Sequence, residues 1–240
     1  MHFIDTHIHL QDFNPDFALE VINNPCLKKM ILISAKKEDF SKISSLATKY
    51  KDKIIPAYGI HPWYNDTQNS IDTLEKELSN NPLALVGEIG LDNLKQKVSP
   101  LQHDLFNKQL DLAKHYNRPI IIHGAKAFNE LLTYETRLKQ TKFVYHGFTK
   151  NFELLKFINR CNGYFGLGPM FLKQKNASTY FNLMPIDKIL FETDAPYQLD
   201  EKTYNQTTKE NLEKLSKIST ISLPKLQNIL LKNTMEFIKC

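Results

Sequence analysis

The sequence predicts an α/β protein: a (β/α)8 barrel or a distorted version of one. Eight short apolar runs recur along the chain, each is followed by a helical pattern or a loop, and the runs show little polar alternation. Strands that read as continuous apolar segments suit a parallel sheet covered on both faces. Alternating βα units of this number fit a closed barrel, and a doubly wound open sheet is the alternative topology.

In chain order, the first run is His2–Asp5, and Asn14–Pro15 then opens a helix over about Asp16–Asn23. Met30–Ser34 is the second run, followed by a helical pattern at Asp39–Lys51. Ile54–Gly59 precedes a helix at Ile71–Asn80, and Leu83–Gly87 precedes a helix at Pro100–His115. Ser99–Pro100 is a start signal, an N-cap residue before a proline at the first helical position. Pro119–His123 leads to Ala127–Leu138, and Phe143–His146 to Asn151–Cys161. Gly163–Leu167 and Lys188–Glu192 complete the strands. The tail from about Thr207 to Ile238 reads as two helices split near Ser222–Leu223–Pro224, because proline inside a helix removes a hydrogen bond. Without a Gly/Ser/Pro-rich linker, repeat or low-complexity block, residues 1–240 read as one domain.

Composition bounds the function without naming it. The chain has 240 residues, 42% hydrophobic and 24% charged, which disfavours disorder, a collagen-like chain or a disulfide scaffold. No apolar run nears the roughly 18 residues of a membrane span, and MHFIDTHIHL lacks the basic and apolar regions of a signal peptide. The three widely spaced cysteines, Cys26, Cys161 and Cys240, suggest a reducing, cytoplasmic setting. Cys26 and Cys161 read as buried small hydrophobes, and Cys240 as an incidental tail thiol. The net charge of +5 is compatible with an anionic substrate and equally with none. Only Arg118, Arg137 and Arg160 are arginine, a thin supply for bidentate phosphate recognition.

In a barrel, functional residues gather at the C-terminal ends of the strands. There the chain carries His7, His9, His61, His123 and His146, together with Glu88 and Asp194. A lone histidine after an apolar run is usually a satisfied core residue. This many titratable groups at one rim would cost desolvation unless a cation paired with them. His7 and His9, two apart on an extended segment, face one side and can pinch one ion, leaving Asp5 and Thr6 to support them. Six N and O donors exceed one tetrahedral zinc and suit two ions about 3.5–4 Å apart. With no cysteine at these positions, Zn²⁺, Mn²⁺, Co²⁺, Ni²⁺ and Mg²⁺ all remain open.

The segments Asp5-Thr6-His7-Ile8-His9-Leu10, Gly59-Ile60-His61-Pro62, Val86-Gly87-Glu88-Ile89-Gly90-Leu91-Asp92, Ile122-His123, His146-Gly147-Phe148 and Glu192-Thr193-Asp194-Ala195-Pro196-Tyr197 together resemble the TatD family, as does Asn233 near the end of the chain. These are metal-dependent hydrolases and deoxyribonucleases of the amidohydrolase superfamily. The resemblance implies a distorted TIM barrel holding two divalent metal ions. His7, His9 and Asp194 would hold one ion, His123 and His146 the other, and Glu88 would bridge them. It further implies phosphodiester hydrolysis by metal-activated water, with Asp194 and Glu88 catalytic and His61 touching the substrate phosphate.

The sequence departs from the family pattern around the substrate. Ala125 replaces a phosphate-gripping arginine, with Lys126 adjacent as a substitute contact or a solvated side chain. Thr149 keeps a family hydroxyl, Lys150 replaces a glycine, and Gln198–Gln206 lacks the Arg, Gly and Pro of the usual loop. Asn93-Leu94 stands where an aromatic residue usually follows the aspartate. Trp63, where the family often has a second histidine, suits either base stacking or a hydrophobic lid.

The expected function is a 3′→5′ exodeoxyribonuclease, with DNA or another phosphoester as substrate and no membrane or obligate protein partner. The alternatives are a same-site hydrolase of another ester or amide, such as a D-aminoacyl-tRNA deacylase, and a non-catalytic barrel used for binding.

Overall fold

Runs of Ile, Val, Leu and Phe become the strands because both of their faces find apolar partners. The computed structural model describes residues 2–64 and 68–239; Cys240 lies outside them. The strands are β1 (Phe3–Ile8), β2 (Leu27–Ile33), β3 (Ile54–Tyr58), β4 (Leu85–Asp92), β5 (Ile120–Ala125), β6 (Phe143–Tyr145), β7 (Tyr164–Leu167) and β8 (Ile189–Phe191). They form one eight-stranded sheet in sequence order, with every neighbouring pair parallel. The sheet closes into a (β/α)8 barrel where Ile8 bridges Ala195, Asp194 N–H donates to His7 O and His9 N–H donates to Ala195 O.

The helices are α1 (Pro15–Asn23), α2 (Phe40–Lys49), α3 (Gln68–Asn80), α4 (Pro100–His115), α5 (Phe128–Leu132), α6 (Glu135–Leu138), α7 (Phe152–Arg160), α8 (Pro169–Leu172), α9 (Ala177–Phe181), α10 (Tyr204–Ser219) and α11 (Leu223–Phe237). Side-chain caps start several of them. The Asn14 side chain accepts from Asp16 N–H, Ser99 from Gln102 N–H, and Asn151 from Glu153 and Leu154 N–H. No helix among the described residues is long and apolar enough to cross a membrane.

Strand alternation sorts the core into two layers. Ile31, Ile33, Ala57, Leu85, Ile121, Val144, Tyr164 and Leu190 form a buried cluster with Phe237 of α11, and this cluster is the barrel's inner filling. Their neighbours, such as Met30, Leu32, Ile120, Ile122 and Ile189, belong to the larger layer between sheet and helices. Extending the inner positions two residues at a time carries Ala57 through Gly59 to His61, Ile121 to His123, Val144 to His146, and Leu190 through Glu192 to Asp194. The same period of two that fills the core thus aims the polar residues into the barrel mouth.

Several boundaries differ from the sequence expectation. β1 runs through His7 rather than stopping at Asp5, because its last residues pair with β2 as far as Ile8↔Leu32 and abut the Asp194–Ala195 seam. β4 starts at Leu85, leaving Leu83 exposed, and runs on through Glu88 to Asp92 beside β5. The expected helix Ala127–Leu138 is broken between Leu132 and Glu135 into α5 and α6. The tail divides as expected, with Thr220 in a left-handed conformation ending α10 and Ser222 preceding α11. Cys161 is buried, but Cys26 is only half-buried.

Candidate active site

Glu88 reaches the barrel mouth through an irregularity in its strand. The β4–β5 register shifts between Val86 and Ile89, which puts Leu85 in the inner cluster but Ile89 in the outer layer. Glu88 lies in that shift and its carboxylate is buried among histidines. Oε2 is 3.5 Å from His7 Nε2 and 3.9 Å from His9 Nε2. Oε1 is 2.6 Å from His123 Nδ1, 3.6 Å from His146 Nε2 and 4.0 Å from His61 Nε2. Each oxygen therefore serves a different half of the cluster.

Asp194 closes the mouth opposite Glu88. Its backbone is left-handed, at φ +52°, a conformation that costs energy and is concentrated at functional sites. Oδ1 lies 3.7 Å from His7 Nε2 and 3.6 Å from His9 Nε2, and Oδ2 lies 3.7 Å from His146 Nε2. The Gln198 amide donates to Oδ2 at 2.8 Å. Beneath, Asp5 accepts from His7 N–H, Thr193 N–H, Thr193 Oγ1 and Tyr204 Oη, tying β1, the end of β8 and α10 together.

The protonation states follow from burial competing with charge. Burial raises the Asp5 pKa to about 6 despite those hydrogen bonds. It lowers that of His61 to about 3, so this imidazole is neutral. His61 Nδ1 accepts the Trp63 N–H at 3.1 Å, so the proton sits on Nε2, which is a donor. Burial also lowers His9, with His7 adding to the effect. For His123 and His146 burial pulls downward but is outweighed. Glu88 and Asp92 raise His123 to about 9, and Glu192, Glu88 and Asp194 raise His146 to about 10. Burial would raise Glu88, yet His146, His123 and His7 hold it well below the usual carboxylate range. Asp92 is likewise lowered by His123, and Glu192 by His146.

The donor set fits divalent cations. His7 Nε2 and His9 Nε2 approach to 3.2 Å, an awkward pairing for two imidazoles alone. Tetrahedral ligands on bonds of about 2.0–2.1 Å stand about 3.3 Å apart. The groups His7–His9–Glu88, His7–His146–Asp194, Glu88–His123–His146 and His61–Asp92–His123 each bring one donor atom per residue within 4.8 Å. All six expected ligands, His7, His9, Glu88, His123, His146 and Asp194, thus converge at one mouth.

The expected substrate contacts are less unified. Trp63 stands at the lip, 41% exposed, with its ring 4.7 Å from His61 and 6.5 Å from His123. The cation over its face is Lys95, with Nζ 3.6 Å from the ring centroid. Lys126 is exposed and Thr149 half-buried, and no hydrogen bond or ion pair among the described residues ties either side chain to the cluster. Sequence reasoning missed Lys95, Gln198 and the supporting roles of Asp92 and Glu192. The last two stand in recognisable segments, but their partners are brought to them only by the fold.

The TatD-related DNase family model matches residues 4–239. The chain belongs to this family of metal-dependent hydrolases. It is 29% identical over 214 residues to an uncharacterized metal-dependent hydrolase of Haemophilus influenzae, covering 82% of each chain. It is 21% identical over 257 residues to the human deoxyribonuclease TATDN3, covering 97% of this chain and 93% of that one. The crystal structure of the TatD homologue YjjV from Escherichia coli superposes with a TM-score of 0.84 at 24% identity, covering 98% of this chain and 97% of the other. A TatD-family hydrolase from Entamoeba histolytica also gives a TM-score of 0.84, at 20% identity and 99% and 98% coverage. The expected family and barrel fold are therefore both borne out.

Proposed function

We propose that this TatD-family chain is a two-metal deoxyribonuclease that removes nucleotides from the 3′ end of DNA. The observation that carries the reading is the division of Glu88: one carboxylate oxygen faces His7 and His9, and the other faces His123 and His146. His7, His9 and Asp194 would hold one ion, His123 and His146 the second, with Glu88 between them. Divalent ions in such a site supply Lewis acidity and bring the pKa of water near neutrality.

The chain's own residues supply the remainder. Asp194 Oδ2, held by the Gln198 amide, is placed to accept the proton of the attacking water. Neutral His61 offers Nε2–H to a phosphoryl oxygen as negative charge develops there. Trp63 offers a stacking face for a terminal base, worth roughly 1–3 kcal/mol by analogy with other single-strand binders. Lys95, which covers one side of the Trp63 ring, and the exposed Lys126 offer positive charge to the phosphates, and Thr149 a hydroxyl.

Ala125 ends β5 without a charge, and this motivates a second reading, hydrolysis of a non-phosphate ester or amide by the same cluster. A substrate panel on metal-reconstituted protein separates the two. Release of nucleotides from single-stranded DNA supports the nuclease. Turnover of small esters or aminoacyl-tRNA with phosphodiesters untouched supports the second reading instead.

A further inference from the structure

Two buried carboxylates stand behind the histidines rather than among the converging donors. Asp92 Oδ2 is 2.7 Å from His123 Nε2, and Glu192 Oε1 is 3.1 Å from His146 Nδ1. The first is a well-aligned hydrogen bond; the second is a close ion-pair contact. Each carboxylate is anchored from another side. Asp92 Oδ1 accepts the Leu94 N–H at 2.6 Å, and the Gln102 side chain clamps the Asp92 backbone at both its N–H and its C=O. Glu192 Oε1 accepts the Gly147 N–H at 2.7 Å. Gly166 leaves room for Glu192, because a Cβ there would stand 2.1 Å from Oε2.

An ionised carboxylate only accepts hydrogen bonds, so the ring nitrogen facing it keeps its proton. This leaves His123 with Nδ1 toward Glu88 and His146 with Nε2 toward Glu88 and Asp194. The two histidines of one half-site thus turn opposite nitrogens to the cluster. His7 and His9 are arranged differently: both converge through Nε2, and among the described residues no carboxylate stands against their buried Nδ1 atoms, whereas His146 Nδ1, also without an aligned hydrogen bond, has Glu192 Oε1 at 3.1 Å. The nearby His61–Asp92–His123 group does not make a further cation site, because His61 is fixed as an Nε2–H donor by the Trp63 N–H.

We infer that Asp92 and Glu192 are positioning residues that select Nδ1 of His123 and Nε2 of His146 as the metal-facing atoms, and so preset one half of the site. The inference rests on the two-metal reading. Supporting partners of this kind typically affect metal affinity 10- to 100-fold.

The test is a calorimetric zinc titration of the full chain and of Asp92→Asn and Glu192→Gln, with long-range ¹⁵N NMR of the histidine rings. Asp92→Asn keeps an oxygen for the Leu94 N–H but turns an NH₂ group toward His123 Nε2, which favours the wrong tautomer. The expected result is two zinc ions in the wild type, with the loaded protein protonated at His123 Nε2 and His146 Nδ1. Asp92→Asn would then keep one affinity and weaken the other at least 10-fold, and Glu192→Gln, whose amide oxygen can stay between the Gly147 N–H and His146 Nδ1, would weaken that same ion less. A merely structural role would weaken both ions together, which overturns the inference. Wild-type affinities for both ions in Asp92→Asn, or a third ion in the wild type, also overturn it. A wild type that binds a single ion overturns the two-metal reading instead. The NMR arm still decides the inference in that case, because a neutral His123 protonated at Nδ1 contradicts it whatever the ion count.

Discussion

Glu88 has two carboxylate oxygens and four imidazoles within 4 Å to share between them, with His61 at that same limit. Replacing it by alanine removes the carboxylate that faces His7 and His9 with one oxygen and both His123 and His146 with the other. The expected outcome for Glu88→Ala is about a 10²–10³-fold loss of hydrolysis, the range seen when one electrostatic catalytic group is deleted. Turnover and metal content measured together check this; full activity in the variant would break the two-metal account. At this scale the sequence was most legible where the period of strands is two. His7 and His9 could be paired on their spacing alone. Asp92 and Glu192 could not be assigned roles in that way, because their partners His123 and His146 lie 31 and 46 positions away. Such contacts exist only once β4, β5, β6 and β8 are neighbours in the sheet.

The strand β4 shows how one element positions several functional groups. It carries Glu88 in its irregularity, Gly90 beside His123 and Asp92 at its end. Gly90 has φ +146°, and a Cβ there would stand 2.0 Å from the His123 carbonyl oxygen. Gly90→Ala is expected to destabilise the fold by about 2–6 kcal/mol, combining backbone strain with steric overlap of about 1–3 kcal/mol each. Denaturant unfolding measures the loss, and a variant as stable as the wild type contradicts the tight β4–β5 approach. The strands were readable because buried apolar runs have few other uses. Their ends were not, since β1 and β4 continue through His7, Glu88 and Asp92 by pairing with neighbours. Helices α8 and α9, of 4 and 5 residues, escaped detection because so few residues span too little of the helical period.

For the whole molecule, the seam that closes the barrel and the proposed metal centre share the same residues. His7–His9 meets Asp194–Ala195 there, and Asp5 ties the seam to Thr193 and Tyr204. Ions held between β1, β4 and β8 should therefore stabilise the closed barrel as well as the reaction. Each ion at 100 times its Kd adds about 2.7 kcal/mol to unfolding. Thermal scans should show the Tm falling on exhaustive chelation and recovering with added Zn²⁺ or Mn²⁺; an unchanged Tm contradicts ion binding across the seam. The barrel was legible from the count and order of its strands. The substrate was less so, since its proposed contacts lie on the lip, where Trp63 and Lys95 meet across 32 residues of sequence. The central claim is tested most directly by incubating metal-reconstituted protein with 5′-labelled single-stranded DNA. The account predicts a ladder shortened stepwise from the 3′ end, lost on chelation and in Glu88→Ala. DNA left intact across a screen of divalent metals and pH would contradict it.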